Sequence, residues 1–266
     1  MALRLDRDTA AAAAVVSSGR DEILLGQDIA VTFEGLQAIG GVTLPVHRGE
    51  IRGLIGPNGA GKTTFVNVLT GFQAPTKGSV VLDGEDLTRR RPEEFARKGI
   101  ARTFQNVRLY RGLSIRENLE INAIAAGSTM GHSRERAEEL LDWVGLSRRS
   151  DDRADILPYG EKRRVGIIRA LAGSPRFLLL DEPAAGMTDS ECEALVALIL
   201  EIPDRYGCGV LLIEHNMRVV MSSCAHIYVI DFGLKIAEGT AQEIQGNSDV
   251  RKAYLGWDHA HGTHHR

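Results

Sequence analysis

The chain has no apolar run that approaches a membrane span. A helix needs roughly 20 predominantly apolar residues to cross a bilayer. The longest apolar stretch near the start is Ala10–Val16, mostly alanine, with Asp6 and Asp8 ahead of it. Its shortness and the flanking acids argue against a cleaved signal segment. Any role at a membrane would then run through a partner. Cysteine is scarce too. Cys192, Cys208 and Cys224 are odd in number and widely spaced, and no CxxC occurs. That fits neither a disulfide framework nor a structural zinc site, and predicts buried thiols in a reducing compartment. A basic excess is also lacking. The net charge is −3 and the isoelectric point near 6.3, which offers no electrostatic footprint for nucleic acid. No internal repeat is present. What remains is 266 residues, 43% hydrophobic and 25% charged. This is ample for a sizeable core in one large domain or two small ones.

Residues 1–20 read as a loose tail, because their alanines and Ser17-Ser18-Gly19 carry no amphipathic period. Short strands are expected at Ile29–Phe33 and Val42–Val46, around a turn at Gly40-Gly41. Ile51–Ile55 is an apolar run entering a glycine loop, and a helix from Lys62 to Leu69 should end at Thr70-Gly71. Ser79–Leu82 reads as a further strand. Helix-favouring stretches then dominate at Pro92–Lys98, Ile115–Ala125 and Arg134–Val144, which suggests a helical insertion over about 88–160. Phe177–Leu180 and Val210–Ile213 suit strands buried on both faces of a parallel sheet. A helix at Asp189–Ile202 between them completes a βαβ unit. Ile227–Ile230 is a strand, Asp231-Phe232-Gly233 a turn, and Thr240 with Glu243 a capping box opening a last helix. Residues 258–266, with His259, His261, His264 and His265, read as a flexible polar tail.

Gly56-Pro57-Asn58-Gly59-Ala60-Gly61-Lys62-Thr63 fits GxxxxGK[ST] at every fixed position, with Thr64 next in the helix. Glycines let the backbone curl so that successive N–H groups point inward at a phosphate. Lys62 can reach the β- and γ-phosphates, Thr63 can bind Mg²⁺, and the helix adds its positive end. Phe177-Leu178-Leu179-Leu180-Asp181 ends an apolar strand in a carboxylate, as a Walker B motif does. Glu182 follows, placed to polarise an attacking water.

These motifs, with Gln105, Leu157-Pro158-Tyr159-Gly160-Glu161, Asp181-Glu182-Pro183 and Glu214-His215, resemble the ABC ATPases in order and spacing over residues 22–256. The resemblance implies an α/β fold: a P-loop NTPase cassette over residues 21–257 with a RecA-like core, an antiparallel β-subdomain and a helical subdomain. It further implies MgATP hydrolysis between two cassettes, each ATP lying between one phosphate loop and the other subunit's signature motif. By the same resemblance Phe33 stacks on adenine, and Gln105 senses Mg²⁺ and the γ-phosphate. Tyr159 and Gly160 present the signature to the partner's nucleotide. Asp181 holds Mg²⁺ with Thr63 and Gln105, Glu182 is the catalytic base, and His215 is the switch histidine. Two departures stand out. Pro158 replaces the common signature serine, and Ala185-Gly186-Met187-Thr188 replaces the usual D-loop. Both put the efficiency of hydrolysis at the site built from this signature in doubt.

Gly99–Asn106, Asp181–Met187, Ile213–Met217 and Ala253-Tyr254-Leu255-Gly256 narrow the resemblance to branched-chain amino acid importer ATPases. Urea/amide importers and lipopolysaccharide-export ATPases share parts of the pattern. The implied partners are two transmembrane permeases, a second ABC ATPase and, indirectly, an extracytoplasmic binding protein. The implied location is the cytoplasmic face of the inner membrane. Leu113–Leu119, near Gln105, is the candidate for docking a permease helix. DNA-repair and translation ABC ATPases commonly carry two cassettes or a long coiled coil, and neither is visible here.

Overall fold

A computed structural model describes the backbone of residues 22–261 and the side chains of residues 22–254. In chain order the strands are β1 (Ile23–Phe33), β2 (Leu36–His47), β3 (Ile51–Ile55), β4 (Lys77–Leu82), β5 (Glu85–Asp86), β6 (Ile100–Arg102), β7 (Phe177–Asp181), β8 (Gly209–Ile213), β9 (His226–Asp231) and β10 (Leu234–Gly239). The α-helices are α1 (Lys62–Leu69), α2 (Pro92–Arg97), α3 (Ile115–Ala125), α4 (Met130–Trp143), α5 (Tyr159–Ala172), α6 (Asp189–Tyr206), α7 (Met217–Ser223), α8 (Ala241–Gly246) and α9 (Ser248–His261). None of these helices is long and apolar enough to cross a membrane.

Two sheets form. One is antiparallel, in the order β2-β1-β4-β5; the other runs β10-β9-β3-β8-β7-β6, with β10 its antiparallel edge and the remaining pairs parallel. Strands β7 and β8 are buried along their whole length. Their side chains alternate between two cores, as a period of two requires. Leu178, Leu180, Val210 and Leu212 meet the layer of α3–α7. Phe177, Leu179, Leu211 and Ile213 face the other way, toward α1 and the antiparallel sheet. Phe65 and Leu69 of α1 fill that second core, pressed so closely on β1 that a Cβ at Gly26 would stand 2.9 Å from Phe65.

Several expectations shift. The β1–β2 turn lies at Glu34-Gly35, and Gly40-Gly41 sits inside β2. Ala30 pairs with Gly40 and Ile29 with Val42, so Gly41, at φ +84°, is the extra residue of a bulge. The span 88–160 is not wholly helical, because β6 joins the edge of the large sheet and the helical layer begins after it. Three residues are too few to show alternation. Helix α6 continues past Ile202 to Tyr206 despite Pro203. In the last turn the proline forfeits only one hydrogen bond, and the Gly207 N–H closes that turn on the Pro203 carbonyl at 2.8 Å. The expected tail boundary at 258 falls inside α9. Residues 1–20, His264 and His265 lie outside the described residues. All three cysteines are buried free thiols, and burial pushes Cys208 and Cys224 up to about 12.

Candidate ATP site

The phosphate loop joins β3 to α1. A Cβ on Gly56 would stand 2.1 Å from the Ile230 carbonyl oxygen, and one on Gly61 2.6 Å from that of Ala38. Both positions therefore need glycine. Gly61, at φ +102°, caps α1 with no side-chain hydrogen bond. Helix α5 also starts uncapped, at Pro158. In contrast, Ser114, Thr129, Thr188, Asn216 and Thr240 each cap the helix that follows them. Helix α2, starting at Arg91, lacks a side-chain cap as well, so the feature is shared by α1 and α5, whose amide ends the sequence aims at phosphate, but is not confined to them. The Lys62 ammonium donates to the carbonyls of Gly56 at 2.6 Å and Pro57 at 2.9 Å. Burial pushes its pKa below the ordinary value, and the Glu182, Asp181 and Glu214 carboxylates oppose that push. Thr63 and Thr64 follow it in the first turn of α1.

Adjacent parallel strands bring the acidic side of the site together. Asp181 ends β7 opposite Ile213 of β8. Asp181 Oδ2 accepts from Arg102 Nη2 at 2.6 Å, and Arg102 Nη1 donates to Asn67 Oδ1 at 2.6 Å. Side chains from α1, β6 and β7 are thus linked in one buried chain. Glu182 leaves the strand at φ +47°, a left-handed conformation that costs a non-glycine residue roughly 1–2 kcal/mol. Gln105 Nε2 donates to Glu182 Oε2 at 2.7 Å, and His215 Nδ1 lies 3.8 Å from Glu182 Oε1. Glu214 beside it is fully buried.

The signature residues sit elsewhere. The Tyr159 hydroxyl donates to the Ala185 carbonyl at 3.0 Å and accepts from Arg163 Nε at 3.0 Å. A Cβ on Gly160 would stand 2.4 Å from Glu191 Oε1. Tyr159 and Gly160 therefore contact this chain's own D-loop and α6. Phe33, 45% exposed, ends β1 at the tip of the hairpin whose β2 strand touches the phosphate loop at Gly61. Thr188 has a structural reason: its hydroxyl and backbone N–H form a capping box with Glu191 that starts α6. Arg102, Asn67, Arg163 and Glu214 were not singled out as site residues. Arg102 and Glu214 stand within Gly99–Asn106 and Ile213–Met217, but a charged residue at a strand end gives no local sign of its tertiary partner.

Residues 39–185 match the family model described as ABC transporter, and residues 235–260 that of the branched-chain amino acid ATP-binding cassette transporter. The chain is 42% identical to the high-affinity branched-chain amino acid transport ATP-binding protein BraF of Pseudomonas aeruginosa, covering 88% of this chain and 98% of BraF. The chain belongs to the ABC transporter ATPases, in their branched-chain amino acid group. The cassette is also 40% identical to LivG of Escherichia coli K12, over 84% of this chain and 94% of LivG. It is 36% identical to the lipopolysaccharide export protein LptB of Haemophilus influenzae, over 88% and 97%. Among solved structures, an ABC transporter cassette in its ADP conformation superposes with a TM-score of 0.80 at 32% identity, covering 88% of this chain and 99% of that one. A dimeric cassette in a post-hydrolysis state with ADP and phosphate gives 0.72 at 26% identity, over 82% and 98%. The cassette is an ATP-binding, ATP-hydrolysing transporter subunit with the family's α/β fold.

Proposed function

We propose that this cassette hydrolyses MgATP to drive import of branched-chain amino acids, working with two permeases and a second cassette at the cytoplasmic membrane face. The carrying observation is the convergence of Glu182, Gln105 and His215 beside the Lys62 loop, on a chain whose C-terminal 235–260 segment matches the branched-chain group. That segment favours amino acids over urea, amides or lipopolysaccharide. An extracytoplasmic binding protein would deliver the substrate.

The uncapped amide end of α1 and the Lys62 ammonium hold the phosphates. Phe33 stacks on the adenine. The second half of the site comes from the opposite cassette's signature, and this chain's Tyr159–Gly160 segment serves the opposite site. Thr63, Gln105 and Asp181 would hold the Mg²⁺, and their side-chain oxygens are the donor type a hard cation takes. Arg102 engages Asp181 Oδ2 and leaves Oδ1 without a protein hydrogen bond among the described residues. Mg²⁺, when bound there, neutralises charge on the β- and γ-phosphates. Glu182 orients the attacking water and accepts its proton as the oxygen approaches phosphorus. Gln105 holds that carboxylate by its amide hydrogen bond, and His215 stands on the other side of it, free to meet the γ-phosphate.

Ile115, Asn118 and Leu119 are fully buried, which leaves Leu113, Ser114, Arg116 and Glu117 as the residues that the Leu113–Leu119 stretch could offer a permease. A groove of about 660 Å³ lies beside it, lined by Phe72, Ala96, Arg97, Phe104, Ala125 and Arg169 among others. Arg102 also lines it, stacks on Phe104 and grips Asp181, so the groove is continuous with the ATP site. A cytoplasmic helix of the permease fits there. Ala125→Arg, at the end of α3, should abolish co-purification of the permeases and leave MgATP binding by the cassette unchanged. Undiminished co-purification would place the permease elsewhere.

A further inference from the structure

Glu214 is the one fully buried carboxylate near the site to which no role has been given. A buried charge is costly unless hydrogen bonds replace its water. Here backbone amides of two different loops do so. Glu214 Oε1 accepts from Ala184 N at 2.7 Å, and Oε2 accepts from His215 N at 3.1 Å and Asn216 N at 3.3 Å. Ala184 belongs to the turn after β7, two residues beyond Glu182 and one before Ala185, the acceptor for the Tyr159 hydroxyl. His215 and Asn216 open the turn after β8, and the Asn216 side chain caps α7. One carboxylate therefore bridges the ends of neighbouring strands.

The bridge matters because His215 has no other anchor. Its imidazole is half exposed and makes no hydrogen bond among the described residues, approaching Glu182 only to 3.8 Å. Where the ring stands is set by its backbone, and its backbone N–H is held by Glu214. Burial raises the Glu214 pKa, while the amides of Ala184 and Asn216, the His215 charge and the His215 amide pull it down. An apolar side chain would pack there without accepting from any of these N–H groups. Glutamine could satisfy one loop only, because its amide nitrogen would face the donors of the other.

We propose that Glu214 is a positioning residue for hydrolysis, tying the His215 turn to Ala184, just ahead of the D-loop, so that the His215 imidazole is set relative to Glu182. The switch imidazole and the segment carrying Glu182 and the D-loop then move together. This rests on reading Glu182 and His215 as the hydrolytic pair.

The test is a double-mutant cycle on MgATP turnover by the assembled transporter, comparing wild type, Glu214→Gln, His215→Ala and both together. Glu214→Gln should lower kcat by about 10-fold or more, as small displacements of catalytic groups do, and move the MgATP KM by less than about twofold. On top of His215→Ala it should add almost nothing. An equal loss in both backgrounds, or a raised KM with unchanged kcat, overturns the positioning role and leaves the hydrolytic reading standing. Unchanged turnover in His215→Ala alone overturns both. If Glu214→Gln fails to fold, Glu214→Asp keeps the charge and reaches only one loop, and the same non-additivity is required of it.

Discussion

Glu182→Gln is expected to lower MgATP turnover by the assembled transporter at least about 100-fold, the low end of what a positioned general base supplies. Nucleotide affinity should stay within about twofold, because the groups that hold phosphate sit on the loop and α1. The substitution is nearly isosteric. Its side-chain oxygen can still accept from Gln105, so the 2.7 Å contact survives. What is lost is the capacity to take a proton from water. The strained backbone at Glu182 does not change with the side chain, so stability should hardly move. Turnover is measured by phosphate release and affinity by a fluorescent nucleotide. A loss of affinity that accounts for the loss of turnover would move Glu182 from the chemistry to ATP binding.

Arg102→Met should destabilise the cassette by about 3–5 kcal/mol, the usual cost of removing one partner from a buried ion pair. Both side chains are nearly fully buried, at 6% exposure for Arg102 and 9% for Asp181. Methionine fills much of the volume but leaves Asp181 as an uncompensated buried charge and Asn67 without its donor. The guanidinium also stacks 5.1 Å from the Phe104 ring centroid on the way to the Gln105 loop. The exposed Arg90–Glu94 pair is the control. It is an i,i+4 surface pair, and Arg90→Met should leave the unfolding midpoint almost unchanged. Urea unfolding of both variants makes the comparison. A loss below about 1 kcal/mol for Arg102→Met would mean that Asp181 finds water or another donor, and that the pair does not hold the Walker aspartate in place.

The parts of this site legible in the sequence are those whose chemistry is written into neighbouring residues. The phosphate loop is one, because glycine spacing and backbone curl are the same fact. β7 ending in Asp181-Glu182 is another, because an apolar run fixes both the strand and where its acids emerge. The family resemblance added Gln105 and His215, which no local pattern would single out. Arg102 and Glu214 were not legible as site residues. Each is defined by partners 79 and 30 residues away, and neither pairing leaves a periodicity behind. The fold shows the same division. α3 stands as expected because its capping serine and apolar spacing are local. β6 did not, because three residues become a strand only against β7. Gly40-Gly41 looked like a turn because glycine serves bulges and turns equally well.

ATP-driven uptake in proteoliposomes holding this cassette, its permeases and its partner cassette tests the central claim most directly, with the binding protein and labelled leucine supplied on the opposite side. MgATP on the cassette side should give leucine accumulation that isoleucine and valine compete away and urea does not, and Glu182→Gln should abolish it. Accumulation that proceeds at the same rate without MgATP, or that Glu182→Gln leaves intact, would contradict the account.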